Sequence, residues 1–371
     1  MFSGQIPFEI SKLSQLSSLD LCCNYGLSLG KYLQFKELSL ASLVGNLTRL
    51  EKLDLSGVNI FSTIPSIFAN MSTLRFLHLH DCGMYGEFPI GIFKLPNIQV
   101  LDMKHNEDLS GSWPDFQSWS SPLEEISLAD INFSGELPAT MGNLGSLIVL
   151  DVSSCNLSGS IPSSIGNLTN LVYLNLSNNT SEGYISFSIE NLNQLTFLDL
   201  NRNQLTGPTP SGLTNMSKLT ILNLGSNLLS SPIPFGFAKL TQLTMLSLMA
   251  NRLTSPIPFG LANLTQLTIL VLDSNRLNGS IPFGLANMKQ LTILSLCSNR
   301  LIGPIPIVLA NLTQLTILSL GSNHLTGPIP FGLANLTKLD IVILGVNQLT
   351  GKIPFELTKM IRLTILCLCF N

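Results

Sequence analysis

Apolar and polar positions follow one pattern along the chain, LxxLxLxxNxLxGxIP, repeated from end to end. The column that is most often Asn recurs at Asn24, Val58, Cys82, Asn106, Ile131, Cys155, Asn179, Asn203, Asn227, Asn251, Asn275, Asn299, Asn323, Asn347 and Asn371. Its spacings are 34, 24, 24 and 25, then 24 ten times in succession. A fixed period of that size marks a solenoid whose turns pack only on their neighbours. Within a turn, Leu318 and Leu320 of LTILSLGSN (315–323) alternate with outward residues, the period of a short strand. Stacked turns are predicted to line these strands up as one parallel sheet.

Other columns fit that plan. An Asn side chain repeated each turn can satisfy the backbone of adjacent turns as a buried ladder. Cys82 and Cys155 can take its place as weak donors, whereas Val58 and Ile131 bring none and predict locally weaker or differently satisfied turns. A Gly column follows (Gly135, Gly159, Gly207, Gly279, Gly303, Gly327, Gly351) for a tight bend. A Pro column comes next, with Ser186 as its exception. Proline ends helices, so short strands, turns and single helical turns are expected on the far side.

Composition narrows the classes. Of 371 residues, 45% are apolar and 11% charged, which excludes disorder. Mean hydropathy is high at +0.38, yet polar residues interrupt every run short of the roughly 18 residues a spanning helix needs. With 19 basic and 22 acidic residues there is no electrostatic case for nucleic acid or an anionic membrane. Length alone suggests two or three domains. The unbroken repeat predicts instead a single domain over 1–371, with an irregular longer repeat within 24–58 and near-identical repeats at about 232–335.

The Gly-x-Ile-Pro element, as in Gly327-Pro328-Ile329-Pro330, and the NLTxLxxL run after it resemble the plant-specific class of leucine-rich repeats. That class builds the ectodomains of plant receptor-like proteins and receptor kinases, and the polygalacturonase-inhibiting proteins. The resemblance implies an α/β solenoid: a right-handed superhelix with a parallel concave β-sheet, about 15 repeats of 24 residues here, and few short helical turns on the convex side. It also implies a peptide or protein ligand, a co-receptor kinase as partner, placement at the extracellular face of the plasma membrane, and a role in defence or developmental signalling. The chain opens in mid-repeat at Phe-Ser-Gly-Gln-Ile-Pro (2–7) and stops within a repeat at Asn371, with no secretory signal or transmembrane segment visible. It therefore reads as an internal piece of an ectodomain or a truncated reading frame. A soluble inhibitor of a cell-wall-degrading enzyme ranks second, because such a chain would carry both caps and about ten repeats. A truncated, non-signalling scaffold is the remaining alternative.

Outward strand positions define the candidate ligand face. One column runs Val149, Tyr173, Phe197, Ile221, Met245, Ile269, Ile293, Ile317, Ile341, Ile365, which suits either a contact stripe or lateral strand packing. The next runs Asp54, His78, Asp102, then Asp151, Asn175, Asp199, Asn223 and mostly Ser beyond. Variety is greatest before the copied FGLANLTQLTIL turns, so specificity is expected in the 54–202 half. The candidate set is Asp54, His78, Asp102, Asp151, Tyr173, Asn175, Phe197, Asp199, Asn201 and Arg202. Beside the ladder, Arg252, Arg276, Arg300 and His324 form a basic row, either an anion clamp or a solvated edge that blocks sheet aggregation.

Other chemistry is sparse. His78 and His80 lie near Asp54, Asp102 and His105, but nothing fixes a third ligand, so no metal is expected. No catalytic triad, carboxylate pair or phosphate loop stands out, so neither an enzyme nor a cofactor is expected. The seven cysteines form no disulfide framework, and Cys367 and Cys369 are marginal for a bridge. Thirteen N-x-[ST] sequons occur, and seven (Asn46, Asn70, Asn167, Asn215, Asn263, Asn311, Asn335) share one column twelve residues from the ladder position. Glycans there would leave the sheet face free; the alternative is a structural column that mimics the sequon, since Asn143, Asn191 and Asn287 sit in it without Ser or Thr. A threonine file, Thr196, Thr220, Thr244, Thr268, Thr292 and Thr316, resembles the arrays of ice-binding surfaces, although Thr is also a good strand residue.

Overall fold

Each turn folds for the same local reasons. The LxL segment makes a three-residue strand whose middle residue is fully buried, as in Ile221–Asn223 around Leu222. The chain then bends through a residue with φ near +50°, one place before the ladder Asn, as at Arg202 and Ser226. The Gly column adopts the positive φ it was expected to supply, +76° at Gly207 and +75° at Gly327. Proline at φ near −60° then caps a five-residue 3-10 helix, for example Pro258 before Phe259–Asn263. Where Ser186 replaces proline, its hydroxyl accepts from Ser188 N–H and caps the helix Phe187–Asn191 instead. Single helical turns of this kind recur in nearly every repeat.

The structure, a computed structural model, describes residues 2–24, 33–35, 39–117 and 121–371. Residues 25–32 and 36–38 of the irregular repeat expected within 24–58 lie outside the described residues. The chain divides into two compact units, Met1–Ser181 and Glu182–Asn371.

The first unit carries seven strands of the long parallel sheet: Ser18–Asp20, Lys52–Asp54, Phe76–His78, Val100–Asp102, Glu125–Ser127, Val149–Asp151 and Tyr173–Asn175. Its core adds an aromatic cluster to the leucines: Phe93 packs at 5.3 Å from Phe88 and 5.8 Å from Phe116, and Trp113 at 4.8 Å from Phe133. Its ladder is mixed. Asn106 donates to the carbonyls of Leu79 and Met103 and accepts from the N–H groups of Cys82 and Met84. Cys82 and Cys155 do substitute: their thiols donate to the carbonyls of Leu55 (3.1 Å) and Leu128 (2.9 Å). Burial pushes both thiols up to about 12, which keeps them protonated donors. The turns of Val58 and Ile131 are satisfied otherwise, Leu55 C=O by Val58 N–H and Leu109 N–H by Asn106 C=O.

The second unit carries eight such strands, from Phe197–Asp199 to Ile365–Cys367, paired residue for residue at the 24-residue period. Among the described residues these strands number fifteen. Its ladder is unbroken and buried from Asn203 to Asn347. Asn227 is representative. Its Nδ2 donates to the carbonyls of Leu200 (2.9 Å), Leu224 (3.2 Å) and Gly225 (3.0 Å), and its Oδ1 accepts from Leu205 N–H (3.0 Å). Short lateral strands form smaller sheets beyond the ladder, such as Gln204–Gly207 beside Leu228–Pro232.

Candidate ligand-binding face

In the first unit the strand register sets Asp54 beside His78, and His78 beside Asp102. Asp102 is only 6% exposed and is the focus of this face. His80 Nδ1 approaches its Oδ2 at 3.2 Å, Lys104 Nζ at 3.6 Å and His78 Nδ1 at 3.9 Å, while Lys104 N–H donates to Oδ1. Burial by itself would raise the Asp102 pKa, but the two imidazoles and Lys104 outweigh it and hold the carboxyl well below its ordinary 3.8. The same contact raises His80 above its ordinary 6.5. Further along, Asp151 Oδ1 accepts from Ser153 N–H and Oγ–H, and the Tyr173 hydroxyl stands 3.5 Å from Oδ2. Asn175 repeats the motif with Ser177 and donates to the Tyr173 oxygen at 3.4 Å. All of these side chains are partly exposed except that of Asp102.

In the second unit, Asp199 accepts from Asn201 N–H (2.8 Å) and from Asn223 Nδ2 (3.0 Å). Phe197 stands half-buried in register with Ile221, and Arg202 is exposed in the left-handed bend. The apolar stripe from Ile221 to Ile341 is half-buried, each residue in register with its neighbours on the adjoining strands. The sequence reading passed over Lys104 and one carboxylate in the copied turns. The Asp273 carboxylate accepts the single Ser295 hydroxyl proton between its two oxygens and also accepts from Cys297 N–H, and burial raises its pKa. A lone acidic residue breaking the Gly, Met and Cys sequence of its column (Gly225, Met249, Cys297, Gly321) was the available signal.

The remaining candidates are also placed. Arg252, Arg276, Arg300 and His324 are exposed, one per consecutive turn; Arg252 and His324 open lateral strands, while Arg276 and Arg300 lie outside them. Asn70, Asn167, Asn215, Asn263, Asn311 and Asn335 each end a 3-10 helix and are exposed, as is Asn46. The threonine file spends its hydroxyl protons on the backbone: Thr220, Thr244, Thr268, Thr292 and Thr316 each donate to the preceding Thr carbonyl at 2.8–3.0 Å. All seven cysteines are free, with the sulfurs of Cys367 and Cys369 3.2 Å apart. Among the described residues, the trio whose ligand atoms converge as a metal would require is Asp20, Cys22 and Asp54, not the His78–His80 group. Lys52 already stands 2.7 Å from Asp20 and 3.8 Å from Asp54, so that trio is neutralised from within. No helix among the described residues is long and apolar enough to cross a membrane. Such a face holds hydrogen-bonding groups at fixed intervals.

Comparison with known proteins agrees with this geometry. A leucine-rich-repeat model matches residues 193–253 and 265–325, and a second one matches 49–71, 146–168 and 170–192. Receptor-like protein 6 of Arabidopsis thaliana is 37% identical over 149 residues, covering 40% of this chain and 15% of that protein. Receptor-like protein Cf-9 of Solanum pimpinellifolium is 37% identical over 144 residues, 38% of this chain and 16% of the relative. The matched stretch thus spans about a sixth of the length of these relatives. Among solved structures, the plant peptide hormone receptor RGFR1 in complex with RGF2 superposes with a TM-score of 0.84 at 31% identity, over 99% of this chain and 65% of the receptor. The Arabidopsis receptor kinase HAESA, with the peptide hormone IDA and the co-receptor SERK1, gives 0.68 at 31% identity, over 98% and 67%. A plant ice-binding protein gives 0.53 at 29% identity, over 67% and 81%.

Proposed function

The chain belongs to the leucine-rich-repeat family in its plant receptor-like class, and from that premise we propose that its open strand face binds an extended peptide or protein segment outside the cell. One observation carries this reading. On the first unit, partly exposed hydrogen-bonding side chains change identity from turn to turn, from Asp54 through His78 and Asp151 to Asn175, as selective recognition requires. Seven strands about 4.8 Å apart offer roughly 29 Å, the length of about nine extended residues. Phe197, Asp199, Asn201 and Arg202 add a second set of contacts on the second unit. The structural neighbours bound to peptide hormones support a peptide as ligand, and the one with a co-receptor supports a co-receptor kinase as partner. Placement is the extracellular face of the plasma membrane, with N-glycans on the exposed column Asn46, Asn70, Asn167, Asn215, Asn263, Asn311 and Asn335. The role is in defence or developmental signalling. The bound threonine hydroxyls argue against an ice surface.

The test uses the chain secreted from plant cells and a size-fractionated peptide pool from extracellular fluid. Retained peptides are identified by mass spectrometry and their affinities measured. The triple variant His78→Ala, Asp151→Ala, Asn175→Ala should lose at least tenfold in affinity. Retention of the same peptides with unchanged affinity would rule this face out as the site.

A further inference from the structure

The side of the second unit away from the strand face carries a file of exposed aromatic rings. Seven of its described 3-10 helices, all but Ser211–Asn215, begin with a large apolar residue just after the cap: Phe187, Phe235, Phe259, Phe283, Ile307, Phe331 and Phe355. The rings of Phe235, Phe259 and Phe283 are 70%, 76% and 67% exposed. Together with Pro232, Pro256, Pro258 and Pro282 they line an open recess of about 760 Å³. The helices of Phe259 and Phe283 carry no charged residue. An apolar patch of this size on an extracellular surface is an aggregation hazard unless something covers it.

The cover is written into the same helix. Phe259–Asn263 starts on the middle ring of the recess and ends on the Asn of the sequon Asn263-Leu264-Thr265. Four residues of 3-10 helix place the two about 8 Å apart. Asn263 is exposed, and no hydrogen bond among the described residues engages its side-chain amide, so nothing structural holds it. A pyranose offers one face of C–H bonds, which packs on an aromatic ring much as another apolar group does. The helix Phe331–Asn335 repeats the arrangement. By contrast, the sequon helices Ser66–Asn70, Ser163–Asn167 and Ser211–Asn215 start on serine and offer no ring.

We propose that the N-glycan on Asn263 folds back along its helix and seats its first N-acetylglucosamine units in the Phe235–Phe259–Phe283 recess, covering the apolar file. This rests on the glycosylation reading above, and the experiment separates the two. The full chain is secreted from a eukaryotic host, glycopeptide mass spectrometry scores occupancy at each sequon, and an endoglycosidase then trims the native protein. The glycan at Asn263 should be trimmed at least fivefold more slowly than that at Asn70. Phe259→Ser together with Phe283→Ser should bring Asn263 to the Asn70 rate. Asn263→Gln should raise the fluorescence of a dye that binds exposed apolar surface, while Asn70→Gln should not. Sequons empty throughout the column overturn both readings, and an empty Asn263 among occupied ones overturns only the seating. Occupancy with equal trimming rates and unchanged dye fluorescence overturns only the seating. Dimerisation of the Asn263→Gln chain without a rise in dye binding would overturn it as well, in favour of a second copy as the cover.

Discussion

The first unit and the copied turns of the second meet the same backbone demands with different means. In the copied turns every ladder position is Asn, and the matching face positions are small hydroxyls at Ser247, Ser295 and Ser319, with Val271 between them. In the first unit the ladder runs through Val58, Cys82, Asn106, Ile131, Cys155 and Asn179, and the face holds a nearly buried carboxylate, Asp102. Regularity makes the second unit self-sufficient, because each Asn completes the turn before it. Variety in the first unit must be compensated case by case, with thiols in the ladder and with His80, His78 and Lys104 around Asp102. A face that differs at each turn can tell ligands apart, and that capacity comes with locally tailored support.

Breaking the spine is the strongest way to probe this contrast. Asn227→Ala removes three donated bonds and orphans Leu205 N–H in a buried site, so a loss of about 3 kcal/mol is expected in urea unfolding. Cys155→Ala removes one weak donor and should cost about 1 kcal/mol. Equal costs would show that the ladder is redundant in the copied turns.

Removing the central carboxylate comes next. Asp102→Asn leaves His80 and Lys104 without their counter-charge and should cost about 2 kcal/mol. The pH profile follows from the shifts. Asp102 is lowered, so its contribution is present above 3.8 and fades as pH falls through its folded value; His80 is raised, so its contribution is full below 6.5 and fades as pH rises through its folded value. First-unit stability, followed by hydrogen exchange, should be greatest between those limits and decline as pH rises above 6.5, and His80→Ala should flatten that decline. A first unit as flat with pH as the second would contradict the network.

Smaller effects test local geometry. Gly207 has φ of +76°, and a Cβ there would meet the Tyr184 ring, so Gly207→Ala should cost about 1 kcal/mol. Phe259→Ser removes an exposed ring and should stay within about 0.5 kcal/mol. A larger loss in thermal or urea melts would mean that the ring packs on its own chain.

Much of the fold was legible because each column has one physical job. The LxL alternation, the Asn ladder with its thiol substitutes and the positive-φ glycines all sit where the repeat placed them. The site was legible only in outline. Asp102 lay in a recognisable column, but its burial and its pairing with His80 and Lys104 depend on side chains from adjoining positions that no periodicity fixes. Asp273 was hidden inside turns read as copies. The phenylalanine file was visible as FGLAN yet read only as duplication, because exposure is set by the fold and not by the letter.

The central claim is that recognition resides in the varied face and not in the copied one. The direct measurement is the affinity of a peptide recovered from extracellular fluid for two variants of the secreted chain. One carries His78→Ala, Asp151→Ala and Asn175→Ala; the other carries Ser247→Ala, Ser295→Ala and Ser319→Ala. The first should lose at least tenfold and the second less than twofold. The reverse order would place recognition on the copied turns and contradict the account.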